Sequence, residues 1–105
     1  MTIRKAQPTD ASLLTKLARE AFQIGGYPDH WFDKSDLHIS EELLEKRVSY
    51  VAGDGGEVIG FYVLTSDESG VDQMCVAPLH FGTGVGKELF LHAKEMIARK
   101  ETAPN

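Results

Sequence analysis

The sequence predicts an α+β (α/β) domain in which a mostly antiparallel sheet carries flanking helices, in the order β-α-α-β-β-β-α. Three observations predict it. Runs rich in β-formers crowd between residues 49 and 76, separated by glycine turns. Segments with apolar residues three and four apart stand before and after that block. A glycine-rich turn then joins the last strand to the last helix. The 105 residues amount to one domain, residues 1–105, and a chain of this size can bury roughly two-thirds of its unfolded surface.

Thr2-Ile3-Arg4-Lys5-Ala6 alternates weakly and reads as the first strand, ended by Pro8. Thr9 or Asp10 is expected to cap the helix that follows. In it Leu13, Leu14, Leu17, Ala18, Ala21 and Phe22 make one apolar face, and Gly25-Gly26 stop it. Residues 27–38 show no period and read as a loop. Ser40 is the expected N-cap of a second helix, with Ile39 and Leu44 at staple positions. Its leading Glu41 and Glu42 and trailing Lys46 and Arg47 suit the helix dipole, and Leu43, Leu44 and Val48 supply its apolar face.

A hairpin follows: Ser49–Ala52, a turn over Gly53-Asp54-Gly55-Gly56, and a strand from Glu57 to Thr65. Gly60 inside that strand predicts a bulge or a close packing partner. Ser66 to Gly70 make another turn. Val71–Val76 is the fourth strand, ended by Pro78. The last helix places Val85, Leu89, Ala93, Met96 and Ile97 on one stripe, with Glu88, Lys94 and Glu95 outside.

Charge and cysteine usage exclude several classes. Lys+Arg is 11 and Asp+Glu is 16, a net of −5, which argues against nucleic acid as a partner. Residues 1–70 hold 7 basic and 12 acidic side chains, whereas residues 71–105 hold 4 of each. An anionic cofactor therefore belongs in the C-terminal third. No apolar run is long enough to span a bilayer, so no membrane association is expected. A lone cysteine, Cys75, and four scattered histidines predict neither a disulfide nor a metal site, and point to a reducing, cytoplasmic setting.

The most informative segment is Val76-Ala77-Pro78-Leu79-His80-Phe81-Gly82-Thr83-Gly84-Val85-Gly86-Lys87. Glycines tolerate positive φ and let a ligand approach the backbone. The first amides of a helix lack internal partners and lie at the positive end of its dipole, a combination that binds phosphate or pyrophosphate. A plain tight turn is the bland alternative. A nucleotide P-loop fails here because its first glycine is replaced by Phe81 and its Ser/Thr by Glu88. A dinucleotide fingerprint fails because its third glycine is Lys87.

The segment resembles the acetyl-CoA motif of the Gcn5-related N-acetyltransferase (GNAT) superfamily: a strand, a proline-containing turn, then Gln/Arg-x-x-Gly-x-Gly/Ala opening a helix. Val76-Ala77-Pro78 ends the strand, Gly84 and Gly86 take the motif glycines, and Leu89 takes the inward helix position. Ile3-Arg4-Lys5-Ala6, Pro8-Thr9-Asp10 and Val58-Ile59-Gly60-Phe61 are also similar to the family, so the resemblance runs the length of the chain.

The resemblance implies acetyl-CoA as co-substrate and a primary amine of a small molecule or peptide as acceptor, the amine attacking the thioester directly. The pyrophosphate is expected at the amides of Phe81, Gly82, Thr83, Gly84, Val85, Gly86 and Lys87, and the pantetheine arm beside Met74, Cys75 and Val76. A backbone amide near Val76 would stabilise the oxyanion. Two departures stand out. Phe81 occupies the Gln/Arg position, and the chain stops after the motif helix where the family continues into further strands and a helix. The chain therefore reads as a truncated member. The alternative function is a non-catalytic CoA-binding or self-associating remnant, and a third is an interaction module that binds no CoA. An uncovered fourth-strand edge predicts a homodimer.

Other side chains carry paired readings. Asp72 stands near where the family places a general base, or is a solvated strand-end residue. Cys75 is an acyl-enzyme nucleophile or, more simply, a small buried strand residue. His80 is close enough in sequence to the glycine turn to touch phosphate, and His92 reads as a helix surface residue. His30 and His38 flank an aromatic, acidic loop in which Tyr27, His30, Trp31 and Phe32 cover an acceptor pocket or merely anchor the loop. The acidic run Asp29, Asp33, Asp36, Glu41, Glu42, Glu45 steers a cationic amine or is a solvated face.

Overall fold

The computed structural model describes residues 1–24 and 38–102. Four strands, β1 (Thr2–Lys5), β2 (Ser49–Asp54), β3 (Glu57–Leu64) and β4 (Val71–Val76), form one sheet in sequence order, every neighbouring pair antiparallel. Helices α1 (Ala11–Ile24) and α2 (Glu41–Lys46) precede β2, and α3 (Val85–Thr102) follows β4. Single 3-10 turns at Pro8–Asp10 and Pro78–His80 lead out of β1 and β4. The expected α+β order is the observed one. Gly25-Gly26 and the segment holding Tyr27, His30, Trp31 and Phe32 lie outside the described residues.

The sheet buries both faces. α1, α2 and Ile39 just before the α2 cap bring Leu14, Leu17, Ala18, Ile39 and Leu44 onto Val51, Phe61, Val63 and Cys75. α3 brings Val85, Leu89 and Ala93 onto Ala52, Ile59, Tyr62 and Leu64. Each such large apolar side chain contributes about 1.5–3 kcal/mol when fully buried. The α1 stripe is narrower than its leucines suggest: Leu13 is half exposed, and Thr15 takes a buried place instead. Thr15 Oγ1 donates to the Ala11 carbonyl and accepts from Ile39 N–H at 2.9 Å, tying α1 to the entry of α2.

Local expectations meet several corrections. Asp10 does not cap forward into α1. Its carboxylate turns back to accept the Gln7 N–H at 2.7 Å and a two-pronged pair from Arg4 at 3.0 Å each. Ser40 caps α2 as expected, accepting the Leu43 N–H at 3.0 Å. Val48 does not join the α2 face; it packs on the α3 side. The hairpin turn tightens to Gly55-Gly56, whose φ values of 59° and 89° suit a two-residue loop, so β2 runs on to Asp54. Gly60 marks a close approach: a Cβ there would lie 2.9 Å from Leu89 Cδ1 and 3.0 Å from the Cys75 carbonyl oxygen. A bulge sits beside it, because β2 steps from Ala52 to Gly53 while β3 steps from Gly60 to Val58, leaving Ile59 extra.

Candidate functional site

The turn after β4 is built from backbone. His80, Phe81 and Thr83 N–H groups donate within the loop, to Ala77, Pro78 and His80 carbonyls. Thr83 Oγ1 also donates to the His80 carbonyl at 2.6 Å. Gly82 and Gly84 adopt φ of 77° and 91°, conformations that favour glycine. The first helical bond runs from Glu88 N–H to the Gly84 carbonyl at 3.0 Å, which makes Gly84 the residue just before α3. Among the described residues, the N–H groups of Gly82, Gly84, Val85, Gly86 and Lys87 have no backbone acceptor. These five donors crowd the positive end of an 18-residue helix. The amides of Phe81 and Thr83, included in the sequence expectation, are already engaged.

β4 is an edge strand among the described residues, paired with β3 alone. Its pairing settles which backbone groups face outward. Ala77 N–H donates to the Ile59 carbonyl at 2.8 Å, and Cys75 lies opposite Phe61 in the same register. Hydrogen-bonded positions alternate along an antiparallel strand. Cys75 therefore turns its N–H and C=O toward β3, and Met74 and Val76 turn theirs to the open edge. That refines the expected track of Met74, Cys75 and Val76 to its outer two members.

α3 continues this edge. A methyl on Gly86 would rest 3.5 Å from Val76 Cγ2, so that flank of the helix faces the end of β4. Phe90, one turn on, shares the flank and is half exposed. Phe81, Gly82, Thr83, Gly84 and Lys87 are exposed, whereas Val85 is buried as a core anchor.

The remaining expected residues fall elsewhere. Asp72 is an exposed residue at the far end of β4, about 13 Å along the strand from Val76 at the usual rise. Its carboxylate pairs with Arg47 Nη1 at 3.2 Å, and that same nitrogen donates to the Leu64 carbonyl at 3.2 Å. Cys75 is buried on the α1 side, and burial pushes its thiol up to about 11, away from the thiolate a nucleophile needs. His92 is not a free surface residue: its Nδ1 lies 2.7 Å from the Tyr62 hydroxyl, and its ring is 4.6 Å from that of Tyr50. Burial raises the Tyr62 phenol well above its ordinary value, keeping it neutral. Sequence reading gives Arg47 only a helix-end role and gives Tyr50 and Tyr62 no partner. Their partners lie far away in the chain, so no local pattern marked them.

Two cavities stand out among the described residues. One of about 300 Å³ sits on the hairpin side of the turn, lined by His80, Thr83 and Gly84 but also by Asp54 and Glu88. Two carboxylates make it unsuited to phosphate. The other, about 560 Å³, lies between α1 and the start of α2 and includes Arg19, His38 and Glu41. Among the described residues, no group of three His, Cys, Asp or Glu side chains is placed to hold a metal, and no helix is long and apolar enough to cross a membrane.

The acetyltransferase (GNAT) domain family matches residues 45–104, from the end of α2 through α3. The chain belongs to this family. Its fold is similar to that of a GCN5-related N-acetyltransferase from Rhodopseudomonas palustris, at 17% identity and a TM-score of 0.77, over 96% of this chain and 68% of that one. The PaiA N-acetyltransferase from Thermoplasma acidophilum, solved in complex with coenzyme A, matches at 20% identity and a TM-score of 0.75, over 95% and 73%. An IAA acetyltransferase from Bacillus cereus matches at 26% identity and a TM-score of 0.62, over 97% and 61%. This GNAT chain thus spans between 61% and 73% of the length of these solved relatives. No curated protein matches the sequence.

Proposed function

We propose that this GNAT domain binds acetyl-CoA along the β4 edge and the glycine turn, and that it transfers the acetyl group to a primary amine of a small molecule or peptide. The carrying observation is a run of backbone groups without partners among the described residues: the outward positions Met74 and Val76, followed by the N–H groups of Gly82, Gly84, Val85, Gly86 and Lys87. The turn presents several donors to a pyrophosphate at a helix N-terminus. The strand edge offers ladder-like hydrogen bonds to the amide-bearing pantetheine arm. Acetyl-CoA supplies the thioester whose carbonyl an amine attacks, with CoA thiolate as leaving group. The outward N–H groups of Met74 and Val76 are the donors on that edge, and we assign the developing oxyanion to this pair.

The net charge of −5 supports a small-molecule partner over nucleic acid, and the single buried cysteine supports a cytoplasmic setting. One specific observation favours a second activity for the same surface. The outer side of β4 is unpaired among the described residues, and Phe90, one turn after Gly86 on α3, is half exposed. An open apolar edge of this kind supports a two-fold homodimer through β4, and with it the reading of a self-associating, non-catalytic CoA-binding chain.

Two measurements test the proposal. Acetyl-CoA at a hundredfold excess over Kd stabilises the native state by about 2.7 kcal/mol, which is about 10 °C in Tm for a domain of this size. No shift at millimolar acetyl-CoA overturns the binding assignment. Thiol release with primary amines then separates transfer from binding alone.

A further inference from the structure

The pairing of β3 with β4 changes parity part-way along. At the turn end, Thr65 N–H donates to the Gly70 carbonyl at 2.9 Å, and Leu64 lies opposite Val71. At the other end Ala77 N–H donates to the Ile59 carbonyl at 2.8 Å. Even-numbered residues of the second chain segment face β3 before the change, and odd-numbered residues face it after. The change occurs where β3 steps from Val63 to Leu64 while β4 steps from Gln73 to Val71, so Asp72 is the extra residue of a bulge.

The bulge selects which backbone groups reach the open edge. Carrying the Leu64–Val71 register onward without it would place Met74 opposite Phe61 and Val76 opposite Ile59. Their N–H and C=O groups would then be spent on β3, and those of Gln73 and Cys75 would point outward. The side chains would swap faces as well, taking Cys75 out of the α1 core and Met74 away from α3. Arg47 holds the two sides of this irregularity together. It follows α2, its Nη1 contacts the Leu64 carbonyl on β3 and the Asp72 carboxylate on β4, and its own N–H donates to the Leu43 carbonyl at 2.9 Å.

We propose that Arg47 and Asp72 are positioning residues: together they pin the β4 bulge, and so fix Met74 and Val76 as the edge that receives the acyl donor. This rests on the acetyl-CoA reading above and gives Asp72 a task other than general base. A carboxylate already engaged by a guanidinium at 3.2 Å is poorly prepared to take a proton from an attacking amine.

The test compares Arg47→Met, Asp72→Asn and the double variant, each confirmed folded by circular dichroism. Two readouts are taken. Amide hydrogen exchange follows residues 73–76, where the wild type should protect Gln73 and Cys75 over Met74 and Val76. Steady-state kinetics follow KM for acetyl-CoA and kcat across pH. Both single variants should blur the alternating protection about tenfold and raise KM for acetyl-CoA several-fold, the double variant should be no worse than either single, and the acidic limb of the pH profile should stay in place. Arg47→Lys, which keeps the charge, should restore part of the KM. Unchanged protection and KM in Arg47→Met overturn the proposal. So does a loss of about 10²–10⁴ in kcat confined to Asp72→Asn with the acidic limb abolished, the mark of a general base. A wild type with alternating protection that the variants lose, yet with no affinity for acetyl-CoA, would instead refute the function and leave the clamp standing.

Discussion

Gly84 and Gly86 stand two residues apart in one motif, yet the same substitution should act on them with opposite sign. Gly84 has φ 91°, and a Cβ added there meets nothing within 4 Å. Alanine at Gly84 therefore meets no clash, only the backbone strain of a left-handed L-residue, about 1–2 kcal/mol. Gly86 lies within α3 without a left-handed φ, and its added methyl makes ordinary contact with Val76 Cγ2 at 3.5 Å. Replacing a helical glycine by alanine removes backbone entropy from the unfolded chain and gains about 0.5–1 kcal/mol. The two variants should thus differ by about 1.5–3 kcal/mol, or about 6–12 °C in Tm at roughly 4 °C per kcal/mol. Thermal unfolding followed by far-UV circular dichroism, with and without acetyl-CoA, reads both the stability and the ligand shift. Gly86→Ala should melt above wild type and keep the shift, in line with the Gly/Ala tolerance of the GNAT motif. Gly84→Ala should melt below it and lose most of the shift, because relaxing φ swings the Gly84 and Val85 N–H groups away from their common target. Equal melting temperatures would refute the strain argument. A full ligand shift in Gly84→Ala would show that the turn amides do not hold the phosphates.

Three further outcomes are expected. Gly60→Ala should cost about 1–3 kcal/mol, measured by urea unfolding, since its methyl meets Leu89 Cδ1 at 2.9 Å and a Cys75 backbone oxygen that has little room to move. Asp10→Asn should remove about 1 kcal/mol at neutral pH; Arg4 holds the Asp10 carboxyl below the ordinary value, so in wild type this stability is present above about pH 4 and is lost as pH falls through the lowered folded value. The variant should therefore show a flatter loss of stability on acidification, and an identical acid limb would refute the assignment. Sedimentation equilibrium should find a β4-edge dimer at micromolar concentration that saturating acetyl-CoA converts to monomer, because both occupants need the outward groups of Met74 and Val76; a dimer indifferent to acetyl-CoA would place the interface elsewhere.

Much of this architecture was legible in the chain because it rests on local periodicity. Val85, Leu89 and Ala93 recur every four residues and are the buried stripe of α3; Ser40 caps α2 where a serine before two glutamates should. What escaped local reading depends on register or on distant partners. Val71-Asp72-Gln73-Met74-Cys75-Val76 supports two pairings equally well by alternation, and only the hydrogen bonds at its two ends reveal the bulge. Asp72 and Arg47 are 25 residues apart, and Tyr62 and His92 are 30 apart, so neither pair leaves a local signal. Gly53 and Asp54 look like turn formers, so the sequence suggests a four-residue hairpin turn, yet within it only Gly55 and Gly56 take positive φ.

Gly60 explains why the strand edge and the helix turn act as one surface. It sits opposite Val76, and its missing side chain is the space into which Leu89 and Val85 of α3 descend. That descent brings the first turn of α3 against the last residue of β4, with Gly86 facing Val76. Any side chain at residue 60 would push the helix outward and open a gap between the outward groups of β4 and the free amides of the turn. A ligand bridging both would then have to desolvate two separate sites rather than one continuous track. The demand for glycine in the middle of a β-rich strand, otherwise a cost to that strand, is therefore made by helix packing, and through it by the geometry of the proposed cofactor edge.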